Sequence, residues 1–296
     1  MKKIRIIAPA KSIENEHVFY AKNFLIENGF EVEIGEYCLG QHHYFSGTDE
    51  ERTVDFQNAI DDDSVDYVLC ARGGYGCIRI IDKIDFTKFK TNPKLIFGFS
   101  DVTVFHNHIN AHFNLPTVHS TVPLNFKNNT QSSLKSLLNV LNQKGVNYKI
   151  EAHPLNSRGQ VRAKVVGGNL SILCSLIGTN SDVSFDHKIL FIEDLAESIY
   201  AIDRMMWTLK KSNKLNQIAG LIVGGFTNIK DTDPSFGKSV NDIILEHTKH
   251  LNIPICFNFP AGHIDDNRAI MLGQDATLIV NENEVVFEQY PISNFV

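Results

Sequence analysis

The chain has 296 residues, 43% hydrophobic and 21% charged. At roughly 150 residues per domain this is material for about two packed domains, and it excludes a disordered, collagen-like or coiled-coil chain. With 28 Lys and Arg against 34 Asp and Glu the formal charge is -6, so there is no basic excess to neutralise phosphates and nucleic acid is not an expected partner.

The opening MKKIRIIAPAKS is interrupted by Arg5 and Pro9 before it reaches the length of a secretory apolar region. No later run approaches the roughly 18 apolar residues of a membrane span, so a cytoplasmic protein with no membrane partner is expected. Residues 3–8 then read as a strand, 17–28 as a helix stopped by Gly29, and 30–34 as a second strand, the start of a βαβ unit. A helix over 50–61, a strand over 65–71 ending in a glycine loop, and a strand over 94–99 running into Ser100 complete an α/β unit with a largely parallel sheet. Residues 1–126 are assigned to this first domain.

The polar stretch 127–160, with one short helix-like segment at 134–141, reads as a linker. Beyond it strands are expected at 161–166, 188–192, 221–223 and 253–257, with a hairpin over 269–288 and helices over 201–211 and 238–250. Residues 161–296 therefore form a strand-rich α+β domain. The absence of an internal repeat excludes solenoids and propellers. Five cysteines, odd in number and scattered without a C-x-x-C pair, point to reduced, buried small hydrophobes rather than disulfides or a zinc site.

Several segments carry chemistry. KLIFGFSDVT places Ser100 at a strand-to-helix junction, like a nucleophile elbow, although Val102 stands where the second glycine of G-x-S-x-G would be; Ser100 as a plain helix N-cap is the alternative. The loop Arg72-Gly73-Gly74-Tyr75-Gly76 follows a strand at the carboxyl end of the sheet, where α/β proteins place their sites. It matches neither nucleotide-binding glycine pattern, so an oxyanion or carboxylate loop, or a simple tight turn, fits better. Glu193, Asp194 and Glu197 end a hydrophobic strand, either as solvated carboxylates before a helix or with one of them orienting a histidine, for which His263 on the Gly-preceded loop PAGHIDDNRA is the candidate. His42, His43, His106, His108 and His112 do not have the spacing of a metal site: HINAH lacks the glutamate of H-E-x-x-H. The order Ser100, Glu193, His263 is that of a Ser-Glu-His triad.

Six blocks in order, SGTDEER (46–52), ARGGYG (71–76), GFSDVT (98–103), GGNLSIL (167–173), IEDLAESIYAIDRM (192–205) and PAGHIDDNRAIMLG (260–273), together resemble the serine LD-carboxypeptidase family, which includes muramoyltetrapeptide carboxypeptidases and microcin C immunity peptidases. The resemblance spans nearly the whole chain. It implies Ser100 as nucleophile, His263 as base, Glu193 as the orienting carboxylate and backbone oxyanion donors at Gly74 and Asp101. It also implies a Rossmann-like first domain bearing the serine, a second domain bearing Glu193 and His263, a homodimer, and no metal or organic cofactor. The expected reaction removes D-alanine from murein tetrapeptides in peptidoglycan recycling. His119-Ser120-Thr121 departs from the His-Gly-Pro-like sequence expected there, next to the pocket wall.

An exopeptidase must also recognise a free carboxylate, which needs a charged partner or backbone donors; Arg72 is the candidate, against a surface or aspartate-paired arginine. Two rival functions are a peptidase that cuts an acyl-nucleotide antibiotic and a non-catalytic nucleotide-binding module. The first needs an aromatic surface for a base, and the lone Trp207 lies in an amphipathic helix where core packing is expected.

Overall fold

The computed structural model describes residues 1–292. Its strands in chain order are β1 (Lys3–Ile7), β2 (Glu31–Ile34), β3 (Tyr67–Cys70), β4 (Leu95–Gly98), β5 (Thr117–His119), β6 (Val146–Glu151), β7 (Gly159–Asn169), β8 (Ile189–Leu195), β9 (Gly220–Thr227), β10 (Ile255–Cys256), β11 (Ile270–Leu272), β12 (Asp275–Val280) and β13 (Glu284–Gln289). Among the described residues they form two sheets, ordered β11-β5-β4-β3-β1-β2 and β10-β9-β8-β7-β12-β13-β6.

In the first sheet β2, β1, β3, β4 and β5 run parallel. β3 and β4 are buried throughout, as expected of strands covered on both faces. Strand order reverses between β1 and β3, so the crevice at their carboxyl ends opens between residues 8–12 and the glycine loop 71–76. That is the switch point where open α/β sheets place ligands. Helices alternate with the strands as the periodicity predicts: Asn15–Glu27, then Asp49–Asp61, which starts on a capping box between Thr48 and Glu51.

In the second sheet β7 to β10 run parallel, while β7, β12, β13 and β6 pair antiparallel. The helices Leu170–Leu176, Ile199–Lys211 and Val240–Thr248 pack with this half. One apolar core is shared by both sheets, with Val118 and Phe126 joined to Phe191, Met271 and Phe287. The mixed α/β, two-domain architecture is thus the one the sequence implies.

Two segments differ from the reading. Residues 127–160 contain the helix expected there, as Gln131–Leu141, but they also hold β6, an edge strand of the second sheet. Alternation of buried Val146 and Tyr148 with exposed Asn147 and Lys149 builds that strand inside polar sequence. The stretch 269–288 is more than a hairpin: β12 and β13 make one, whereas β11 crosses to pair antiparallel with β5. The second half of the chain therefore supplies an edge strand to the first sheet.

Candidate active site

β4 delivers the chain to Ser100, which takes a left-handed φ of 64°, a conformation costing a non-glycine residue on the order of 1–2 kcal/mol. The surroundings hold it there. His106, from the helix Thr103–Phe113, bonds the Gly98 carbonyl through Nε2 at 2.9 Å, and the Ser120 N–H donates to the same carbonyl at 3.1 Å. Because a carbonyl only accepts, His106 carries its proton on Nε2; burial pushes its pKa down to about 3, so it is a neutral donor. Gly73 backs the serine, and a Cβ there would lie 2.8 Å from Ser100 Cβ and 3.1 Å from Oγ. Glycine keeps the hydroxyl clear.

The glycine loop is fastened from two sides. The buried carboxylate of Asp101 accepts the Cys77 N–H at 2.8 Å, and burial raises its pKa. From below, the fully buried Arg52 donates to the Pro9 and Gly76 carbonyls at 2.7 and 3.0 Å and pairs with Asp49. Both walls of the crevice are thereby tied to one guanidinium. Arg52 is a residue that sequence reasoning missed; the signal was the SGTDEER block, whose Ser46 also bonds the Ala8 carbonyl. Gly74 lies on the exposed rim of the loop against Lys11 and Tyr44.

Glu193 and His263 come from the second half. Between Ile192 and Asp194 the pairing of β8 with β9 shifts register, and such an irregularity re-aims side chains; both Glu193 and Asp194 are buried. Glu193 Oε2 accepts from His263 Nδ1 at 2.6 Å and from the His263 N–H at 3.2 Å. His263 Nε2 stands 3.1 Å from Ser100 Oγ. Burial lowers the imidazole pKa, but the Glu193 charge and hydrogen bond outweigh it, and the net shift is upward. The His263 carbonyl accepts from Thr227 Oγ1 at 3.0 Å, and Gly262 precedes it at φ 108°. Asp194 faces elsewhere, bonding Asn169 Nδ2 and the Ser171 N–H at the start of the helix Leu170–Leu176, and burial moves its pKa up to about 6. Glu197 offers its carbonyl to the Lys230 N–H.

The structure thus brings Ser100, His263 and Glu193 into one hydrogen-bonded line with Gly73 and Asp101 beside it. Half-buried Arg72 donates from Nη1 to the Ser12 carbonyl at 3.0 Å and forms no ion pair among the described residues. His108 bonds Ser181 Oγ and His112 bonds the Asn180 carbonyl, with no metal-like convergence. Among the described residues the one grouping of metal-type ligands, Glu14, Glu16 and His17, shares no residue with this site. Trp207 is not a core residue: it is 40% exposed, lies against His247, and has Lys210 and Lys211 over its ring. Its helix turns that position outward while Met206 and Leu209 fill the core.

Comparison with known proteins identifies the family and the fold. The sequence profile of the LD-carboxypeptidase N-terminal domain matches residues 4–120, and that of the LD-carboxypeptidase C-terminal domain matches 162–278. A probable murein peptide carboxypeptidase of Bacillus subtilis is 33% identical over 96% of this chain and 91% of its own. The crystal structure of muramoyltetrapeptide carboxypeptidase from Oxalobacter formigenes superposes with a TM-score of 0.89 at 26% identity, covering 98% of this chain and 100% of that one. The microcin C7 self immunity protein MccF shares the fold, with a TM-score of 0.86 at 21% identity over 98% and 97% of the two chains.

Proposed function

We propose that this chain, which belongs to the LD-carboxypeptidase family, removes the terminal D-alanine from murein tetrapeptides through an acyl-enzyme on Ser100. The observation that carries the proposal is the unbroken line Ser100 Oγ, His263 Nε2, His263 Nδ1 and Glu193 Oε2, at 3.1 and 2.6 Å. Ser100 Oγ attacks the carbonyl between the L centre of the third residue and D-alanine while its proton passes to His263 Nε2. Glu193 keeps Nδ1 protonated and stabilises the imidazolium. The backbone N–H groups of Gly74 and Asp101 receive the oxyanion. His263 then gives its proton to the amine as the C–N bond breaks, and D-alanine leaves. Water, activated by the same histidine, cleaves the ester and frees the tripeptide.

In this reading Arg72 meets the terminal carboxylate. One arm of its guanidinium is tied to the Ser12 carbonyl, which would hold the other donors at the rim of the oxyanion loop. The enzyme would act as a cytoplasmic homodimer in peptidoglycan recycling; no helix among the described residues is long and apolar enough to cross a membrane. The deciding experiment incubates the protein with defined tetrapeptide muropeptides and with an acyl-sulfamoyl adenosine, followed by mass spectrometry. Loss of one alanine from the muropeptide is expected. Cleavage of the nucleotide alone would place the chain with the detoxifying peptidases, and stoichiometric nucleotide retention without turnover would make it a binding module.

A further inference from the structure

Asn267 lies between the two halves of the site. Its side-chain oxygen accepts from the Gly262 N–H at 2.8 Å and sits 3.0 Å from His119 Nε2. The Gly262 N–H can only donate, so the atom facing it is Oδ1 rather than Nδ2. That oxygen in turn requires the proton of His119 to be on Nε2. His119 is neutral, burial having driven its pKa down to about 4. Its ring is packed against Phe99 and Phe191 with centroids 5.7 and 4.8 Å away. Both His119 and Asn267 are fully buried polar side chains, and the chemistry described above uses neither.

Their places in the fold connect the reacting groups. His119 ends β5 in register with Gly98, two residues before Ser100. Gly262 immediately precedes His263 and is packed on Glu193: a Cβ at Gly262 would lie 2.8 Å from Glu193 Cβ. A continuous path therefore runs from the strand beside the nucleophile through His119 and Asn267 to the peptide that carries the base. Successive N–H groups of that loop are held by different side chains, Gly262 by Asn267 and His263 by Glu193. Releasing the first leaves that peptide held through its Ala261 carbonyl alone, which accepts from the Gly225 N–H at 2.9 Å, and a displacement of about 1 Å at a reacting group costs on the order of a hundredfold in rate.

We infer that His119 and Asn267 are positioning residues, which lock the loop bearing His263 to the sheet bearing Ser100. The inference rests on His263 being the general base. The titratable groups whose charge His263 feels are Glu193, Asp194 and His119, so replacing His119 leaves both carboxylates in place.

The test is steady-state kinetics on a murein tetrapeptide with three variants of the full chain. His119→Phe keeps a ring and removes the donor; it should lower kcat tenfold to a hundredfold with KM changed less than about twofold. His119→Gln places an N–H at similar reach and should recover kcat to within a few-fold. Asn267→Leu is similar in size and removes the acceptor of the Gly262 N–H, so it should lower kcat as His119→Phe does, with KM again little changed. Equal kcat for parent and His119→Phe overturns the inference, as does an equal loss in the Phe and Gln variants. Should His119→Phe not fold, the other two decide: a kcat for Asn267→Leu equal to the parent's is fatal. Lack of turnover by the parent enzyme, compared with a Ser100→Ala blank, removes the peptidase reading and this inference together. An active parent with unaffected variants removes the inference alone.

Discussion

Gly262→Ala separates backbone strain from damage to the site. At φ 108° an alanine is strained, at roughly 1–2 kcal/mol. Its Cβ would also stand 2.8 Å from Glu193 Cβ and 2.9 Å from Glu193 Oε2. Both atoms belong to the buried Glu193, and relieving such overpacking costs roughly 1–3 kcal/mol. A total destabilisation of about 2–5 kcal/mol corresponds to a fall in Tm on the order of 5–15 °C. The oxygen that must yield is the one that orients His263, so kcat should drop by about a hundredfold. Gly237→Ala is the control: its φ of 76° is also left-handed, but nothing lies within 4 Å of the new Cβ. It should lose only the strain energy and keep its kcat. D-alanine release gives the kinetics and thermal melting the stability. Full activity in Gly262→Ala, or the same activity loss in the control, would refute the argument that crowding of Glu193 matters.

Ser100→Ala should fold and lose about a thousandfold or more in hydrolysis; His263→Ala should match it, and the double variant should be scarcely worse, because the groups act as a unit. Activity should rise with pH through the His263 pKa, which lies above the ordinary 6.5, since only the neutral ring accepts the serine proton. Stability should move the opposite way in that window: the folded pKa is raised, so the charged His263–Glu193 pair contributes fully below 6.5 and its contribution is lost as pH climbs through the folded value. Parallel Tm-pH curves for the parent and His263→Ala would contradict this. A fragment of residues 1–126 should show no turnover, since it lacks Glu193, His263 and β11; turnover by a folded fragment would refute a site built across the halves. Amidating the terminal D-alanine should cut kcat/KM sharply and Arg72→Gln should erase most of the difference; equal cleavage of acid and amide by the parent enzyme would mean that it is not a carboxypeptidase.

The elements legible in the sequence are those whose pattern is local. β1, β3 and β4 are short runs of apolar residues bounded by turns, and the helix Asp49–Asp61 has its capping box written next to it. Ser100 stood out because a strand runs directly into it, and Glu193 because carboxylates end an otherwise hydrophobic strand. β5, only three residues long, and β6, half polar, carry too little periodicity to be seen against their surroundings. Their identity as strands comes from partners distant in sequence, β4 and β11 for one and β13 for the other. The same holds within the site. The residue types and their order could be read from the chain, but the 3.1 Å between Ser100 and His263 joins positions 163 residues apart, and no local signal encodes such a distance. Arg52, His119 and Asn267 have ordinary polar side chains in the sequence. Only burial, which obliges each of them to find partners, turns Arg52 into the brace of the glycine loop and His119 and Asn267 into the link between nucleophile and base.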